Sequence, residues 1–341
     1  MHDLVTFGEA MLRLAPPHFA RLEQATQFDL QAGGSEFNVA AGAARLGLAT
    51  SWVSLLPDNP LGRMVRNKAR EQGIETRGVT FTRTGRLGLY FVEFGAAPRP
   101  SSVLYDRAHS AMAGMTGGEI DWAQQLAGAR AFHVSGITPA LGAGAAAATR
   151  KALEAARAAG CFISYDLNFR RKLWTAEEAR RVQEPLLPLV DLLISNEEDA
   201  QVLFGIAAAG GDAHYAHGVS ESSHAQVARA LHARFGSPAV AITLRESPAV
   251  WRNIWSGLVL EHDTLHSAPR YELEVVDRIG AGDAFVAGLL ARRLQGAPWD
   301  QALAFATAFS ALKHSIPGDA NWATAAETEA LLKDGGLRVA R

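Results

Sequence analysis

The chain of 341 residues has a single cysteine, Cys161, so it can form no internal disulfide and no cysteine cluster for a metal. That residue opens the apolar run Cys161-Phe-Ile-Ser-Tyr, a setting for a small buried side chain. Excess charge is missing too. The 33 Lys and Arg against 35 Asp and Glu leave a net charge of −2, without the basic surplus of a nucleic-acid binder. No apolar run reaches the roughly eighteen residues that a membrane span needs. Residues 1–14 lack the basic start and long apolar stretch of a secretion signal. A cytoplasmic protein with no membrane or nucleic-acid partner is expected.

Apolar residues make up 48% of the chain, enough for a large core. Short apolar runs alternate with longer stretches of helical period, the pattern of an α/β protein with a mostly parallel sheet. Strands are expected at 4–8, 52–56, 131–135, 162–167, 191–195 and 239–243. Ser35 reads as the cap of a helix through Leu46, with Gly47 ending it. Further helices are expected at 61–72 and 142–159, and Thr175 with Glu178 forms a capping box for another. Around 80–110 the alternation breaks. Segments 87–94 and 101–106 are extended and joined by a turn containing Gly and Pro, which signals a hairpin. The expected organisation is one catalytic domain over 1–341, with a small lid built from strands at about 11–32 and 82–110. Residues 207–223 read as an exposed insertion whose histidines lack ligand spacing.

Chemistry concentrates at four places. In Val276-Asp-Arg-Ile-Gly280-Ala281-Gly282-Asp283-Ala-Phe285 an extended segment feeds a turn of tiny residues, and a helix with apolar Phe285, Leu289 and Leu290 begins at once. Three backbone N–H groups converging at a helix start make an anion site. Asp283 beside it has one plain alternative, a helix N-terminal acid favoured by the dipole. As a base it would take a proton from an attacking hydroxyl while the amides stabilise a phosphoryl group. Gly33-Gly34-Ser35-Glu36-Phe37-Asn38 is a second glycine turn opening a helix, where a polar ligand could approach the backbone. Asp166-Leu-Asn168-Phe-Arg170 ends a buried strand, where open α/β sheets bind ligands. Asn196-Glu-Glu-Asp199 also follows a strand; its acids suit a first helical turn and equally suit Mg²⁺.

These four motifs, in this order, resemble the ribokinase-like (pfkB) carbohydrate kinases over nearly the whole chain. The stretches Gly88-Leu-Tyr90, Val103 to Ala111, Ser135 to Pro139 and Ile242 to Ser247 resemble the members acting on 2-keto-3-deoxygluconate. The resemblance implies a mostly parallel sheet flanked by helices, a β-lid that often mediates homodimers or higher oligomers, and ATP with Mg²⁺. It puts Gly33, Gly34, Asn38, Tyr90, Tyr105, Arg107 and Arg170 at the sugar. Asn168, Arg170, Asn196 and Asp199 would organise phosphates and Mg²⁺, and Thr243 and Arg245 would lie along the nucleotide. Gly280, Ala281 and Gly282 would form the anion hole, with Asp283 as base. Arg278 stands where many members have a threonine that helps bind a monovalent cation, which puts K⁺ activation in question. Asp199 replaces a usual Glu, and Thr243-Leu-Arg245 replaces a Thr-x-Gly pattern. A carboxylate substrate gives Arg107 and Arg170 a purpose, with charge-assisted bonds of roughly 1.5–3 kcal/mol each. The alternatives are a fructokinase- or ribokinase-type enzyme and, more remotely, an NAD-dependent oxidoreductase. The latter's fingerprint would need a third glycine and a place after the first strand.

Overall fold

In the computed structural model, described for residues 1–207 and 221–334, the chain folds around two sheets. The expected insertion at 207–223 lies almost wholly outside the described residues. Strands β1 (Leu4–Phe7), β2 (Met11–Ala15) and β3 (Asp29–Gly33) precede helix α1 (Ser35–Arg45). Next come β4 (Thr50–Pro57), α2 (Pro60–Glu71), β5 (Val79–Thr82), β6 (Leu89–Glu93) and β7 (Ser102–Asp106). The alternation then runs α3 (Trp122–Leu126), β8 (Ala131–Ser135), α4 (Ala143–Ala158), β9 (Phe162–Asp166), α5 (Ala176–Gln183), β10 (Leu192–Asn196), α6 (Glu197–Phe204) and α7 (Glu221–Phe235). The long strands β11 (Ala239–Ala249) and β12 (Arg252–Glu261) are followed by β13 (Thr264–Ser267), β14 (Tyr271–Glu274), α8 (Ala281–Leu294), α9 (Trp299–Lys313) and α10 (Ala325–Asp334).

The large sheet has the order β13-β12-β11-β10-β9-β8-β1-β4-β5, with β14 also paired to β12. From β11 to β5 every neighbouring pair is parallel. Strands buried on both faces explain the unbroken apolar runs, as in Leu4–Phe7 and Ala131–Ser135. Apolar helices cover the sheet; Phe285, Leu289 and Leu290 of α8 have no exposed surface. No helix of the described residues is long and apolar enough to cross a membrane.

The smaller sheet, β3-β2-β6-β7, is the expected flap. Its β6–β7 hairpin is antiparallel, with Tyr90 opposite Tyr105, while β2 and β6 run parallel. Two local expectations are corrected. Gly34, not Ser35, is the N-cap of α1, and the helix ends at Arg45 with Leu46 as C-cap. The extended lead into the glycine turn stops at Glu274, and residues 275–279 are a loop tied to the end of α9 by Val276 N–H to His314 O at 2.8 Å. The Thr175–Glu178 capping box is present as read.

The link from β3 to α1 depends on close backbone approach. A Cβ on Gly34 would sit 2.1 Å from the Glu9 carbonyl oxygen, a contact that neither backbone can relieve cheaply. Gly34→Ala is therefore expected to cost about 2–4 kcal/mol, read as a fall in denaturation midpoint in urea.

Candidate functional site

A cleft of about 1500 Å³ opens between the C-terminal ends of the parallel strands and the small sheet. It exceeds the roughly 300–1,000 Å³ of a single-ligand pocket, so it has room for two substrates side by side. Tyr90, Tyr105, Arg107, Asn168, Arg170, Asn196, Asp199, Thr243, Arg245 and Gly280 to Asp283 all line it. Gly33, Gly34 and Asn38 do not. The two glycines admit the chain's own groups rather than a ligand: a Cβ on Gly33 would meet Asp319 and the Tyr90 hydroxyl. Asn38 lies one layer behind the wall, where it acts on Asp283.

Asp283 is in the first turn of α8, and both of its oxygens are held. Ser35 Oγ donates to Oδ1 at 2.8 Å and Asn38 Nδ2 to Oδ2 at 2.7 Å. Ser35 in turn accepts from Asn168 Nδ2 at 3.1 Å. Three residues from two motifs thus aim one carboxylate, and each bond polarises the next. A carboxylate has about four lone-pair positions, so acceptor capacity remains toward the cleft. Burial raises the Asp283 pKa, opposed by the Asn38 and Ser35 hydrogen bonds, which makes it a stronger proton acceptor than a solvated aspartate.

The turn before it requires glycine at its first position. Gly280 has φ +81°, and a Cβ there would lie 2.0 Å from the Asp319 carbonyl oxygen, so only glycine fits on both counts. The Ala281 N–H bends back to Arg278 O at 3.3 Å. The amides of Gly280, Gly282 and Asp283 are left without a carbonyl partner among the described residues. They sit at the positive end of α8.

Acids gather at the neighbouring strand ends. Asn196 caps α6 by accepting from Asp199 N at 2.8 Å, and Asp199 Oδ2 accepts from Phe169 N at 3.0 Å. Burial pushes the Asp199 carboxyl up to about 6. Asp166 is raised well above the carboxylate range by burial and then by the nearby charges of Asp199 and Asp283. A divalent cation would relieve this crowding, and hard carboxylate oxygens fit Mg²⁺. No three acids or histidines among the described residues stand close enough to cage a metal directly, so the set suits a Mg²⁺ that keeps waters and phosphate oxygens.

On the sugar side, Arg107 Nε donates to Glu9 at 3.0 Å, and Glu9 also accepts from Ser110. Tyr90 and Tyr105 stack with centroids 5.9 Å apart, and the Tyr90 hydroxyl donates to Asp319. Arg170 is exposed to the cleft and close enough to Asp166, Asp199 and Asp283 to lower their pKa values. Arg278 is exposed at the rim.

Beneath the turn lies a buried group of charges that no local sequence pattern announces. Arg13 of β2 bridges Asp277 and Asp319 at 2.7 Å each. Burial disfavours its charge, but the two carboxylates more than offset this and raise its pKa. Asp277 also accepts from Ile279 N at 3.0 Å and Gly318 N at 2.8 Å. Ser35 carries the local signature of a cap, and nothing local marks Glu9, Arg13, Asp277, Asp319 or Lys313 as site residues. A lone Arg in Met-Leu-Arg-Leu-Ala and a lone Lys at the end of an apolar helix were the available signals.

Residues 1–325 match the pfkB family of carbohydrate kinases. The 2-dehydro-3-deoxygalactonokinase of Haloferax volcanii is 38% identical over 99% of both chains. The structure of 2-dehydro-3-deoxygluconokinase from Thermotoga maritima superposes with a TM-score of 0.91 at 42% identity, covering 97% of this chain and 98% of that one. An uncharacterised sugar kinase from Pyrococcus horikoshii, solved with ATP, has the same fold (TM-score 0.76, 22% identity, 98% of each chain). The aligned length, the order of the motifs and the geometry of the cleft agree, and the chain belongs to the pfkB family of carbohydrate kinases.

Proposed function

We propose that the chain transfers the ATP γ-phosphoryl group to the 6-hydroxyl of 2-keto-3-deoxygluconate, with Asp283 as the base. The observation that carries this reading is the doubly held, burial-strengthened carboxylate of Asp283 directly beside two free helix-start amides. In this mechanism ATP lies along Thr243 and Arg245, and the sugar acid lies beneath Tyr90 and Tyr105. Asp283 takes the hydroxyl proton as the oxygen attacks phosphorus, and the Gly282 and Asp283 amides stabilise the charge in flight. Asn196, Asp199 and Asp166 would hold Mg²⁺ through water, and the ion, when bound, neutralises phosphate charge. The small sheet acts as a lid that keeps water from competing as acceptor. ATP and its phosphorylated product belong to the cell interior, in keeping with a cytoplasmic enzyme. Leu30 and Leu104 are exposed on the small sheet, and Phe28 just before β3, in keeping with a homo-oligomer formed through it.

Two relatives named for 3-deoxy sugar acids support the acid as substrate, and Arg170 offers a guanidinium exposed in the cleft. One observation favours a neutral sugar such as fructose instead. The Arg107 charge is already balanced by Glu9, so Arg107 brings hydrogen-bond donors rather than net charge. A coupled ADP-release assay with 2-keto-3-deoxygluconate, its galactonate epimer, fructose and ribose separates the readings. Faster turnover of a neutral sugar than of both acids sinks the sugar-acid proposal.

Asp283→Asn should lower kcat by at least about 10²-fold with little change in KM; near-normal turnover would remove Asp283 as base. Arg107→Ala should raise KM for the acceptor and leave ATP affinity unchanged in steady-state assays. For Asp199 the folded pKa of about 6 lies above the ordinary 3.8. Its stabilising contribution is therefore fully present below about pH 4 and is lost as pH rises through 6. Without divalent cation, Asp199→Asn should be more stable than wild type at pH 8, by up to about 3 kcal/mol, and no more stable at pH 4. Chemical denaturation at the two pH values checks this, and a constant difference would refute it.

A further inference from the structure

Whether this chain uses the monovalent cation suggested by its resemblance depends on whether the underside of the glycine turn can hold one. Such an ion needs backbone carbonyl oxygens turned inward and a surplus of negative charge. The two loops flanking Gly280 supply carbonyls, those of Asp277 and Ile316, but both are taken. Lys313 Nζ, at the last residue of α9, donates to Asp277 O at 3.1 Å and to Ile316 O at 3.0 Å. The side chain has no exposed surface.

The charge balance agrees. Arg13 and Lys313 bring two positive charges, and Asp277 and Asp319 bring two negative ones, all within one buried cluster. A further cation would leave the cluster with a net charge out of reach of water, which is costly. Burial lowers the Lys313 pKa, Asp277 and Asp319 pull it back, and Arg13 lowers it further. An ammonium group and K⁺ are similar in size, and both bind carbonyl oxygens.

We propose that Lys313 is a positioning residue whose ammonium stands in for a bound monovalent cation beneath the phosphate-facing turn, so that the enzyme needs none. The tether fixes residues 277–280 against 316–319 and so sets the direction of the Gly282 and Asp283 amides. This inference rests on the turn being the anion site, as proposed above.

The test uses the full chain and whichever sugar it phosphorylates fastest, in buffer whose sole monovalent cation is tetramethylammonium, followed by added K⁺, NH₄⁺ or Na⁺. Failure of the sugar-acid reading then shows as a different best acceptor and leaves the cation arms intact. Wild type should not respond to the added ions. Lys313→Met should lose about 10²-fold in kcat with ATP KM little changed, and K⁺ or NH₄⁺ should restore at least about tenfold. Should that variant fail to fold, Lys313→Gln, whose amide can still donate to a carbonyl, is measured in its place with the same expectations. Stimulation of wild type by K⁺ overturns the proposal, as does a folded variant with wild-type kcat. So does a folded, slow variant that no monovalent cation rescues, because that is what loss of packing alone produces.

Discussion

The arrangement of the cleft rests on a group of buried charges that stand behind its lining. Arg13 reaches from β2 between Asp277, in the loop before the glycine turn, and Asp319, in the loop whose carbonyl packs against Gly280. Tyr90, also from the small sheet, donates to Asp319, and Lys313 closes the group from below. Such buried ion clusters are weak sources of net stability because desolvation consumes most of the attraction. Their value here is geometric. Each carboxylate satisfies several donors from different elements, so the small sheet, the turn and the end of α9 have one relative placement in which every charge is met. Any slip strands a buried charge, at roughly 3–5 kcal/mol.

That constraint explains how a mobile reaction could run on rigid parts. The Asp283 carboxylate is aimed by Ser35 and Asn38 of α1, and α1 packs along α8 with Gly42 against Ala287. Two helix starts are therefore locked face to face, one carrying the Asp283 carboxylate and the amides beside it, the other supplying the donors that orient that carboxylate. Asp166 at the end of β9 and Asp199 in α6, just after β10, arrive independently from adjacent parallel strands, where like charges accumulate at a cost in stability. Sites of this kind give up folding free energy for function.

Most of the fold was legible in the sequence, because burial on both faces of a parallel sheet leaves continuous apolar runs with glycine or cap residues between them. The break at 80–110 gave the second sheet. Thirteen of the cited site positions line the cleft, since motifs at strand ends mark where open sheets bind ligands. What could not be read was anything set by distant pairing. Ser35 has the signature of a cap, yet it is used 248 positions away on Asp283. Arg13 and Asp319 are 306 positions apart. Charged residues inside apolar segments are visible one at a time, but their partners are not, because nothing local encodes which buried charge will meet which.

The small sheet divides its labour by strand. Its root, Arg13 on β2 and the Tyr90 hydroxyl on β6, is buried in the charge cluster, whereas its outer strand β7 carries Leu104 and Tyr105 with considerable exposure. Mutations along that outer edge can therefore accumulate without disturbing the ion pairs that hold the machinery in register. A scaffold built this way can vary its exposed margin while its buried root stays fixed.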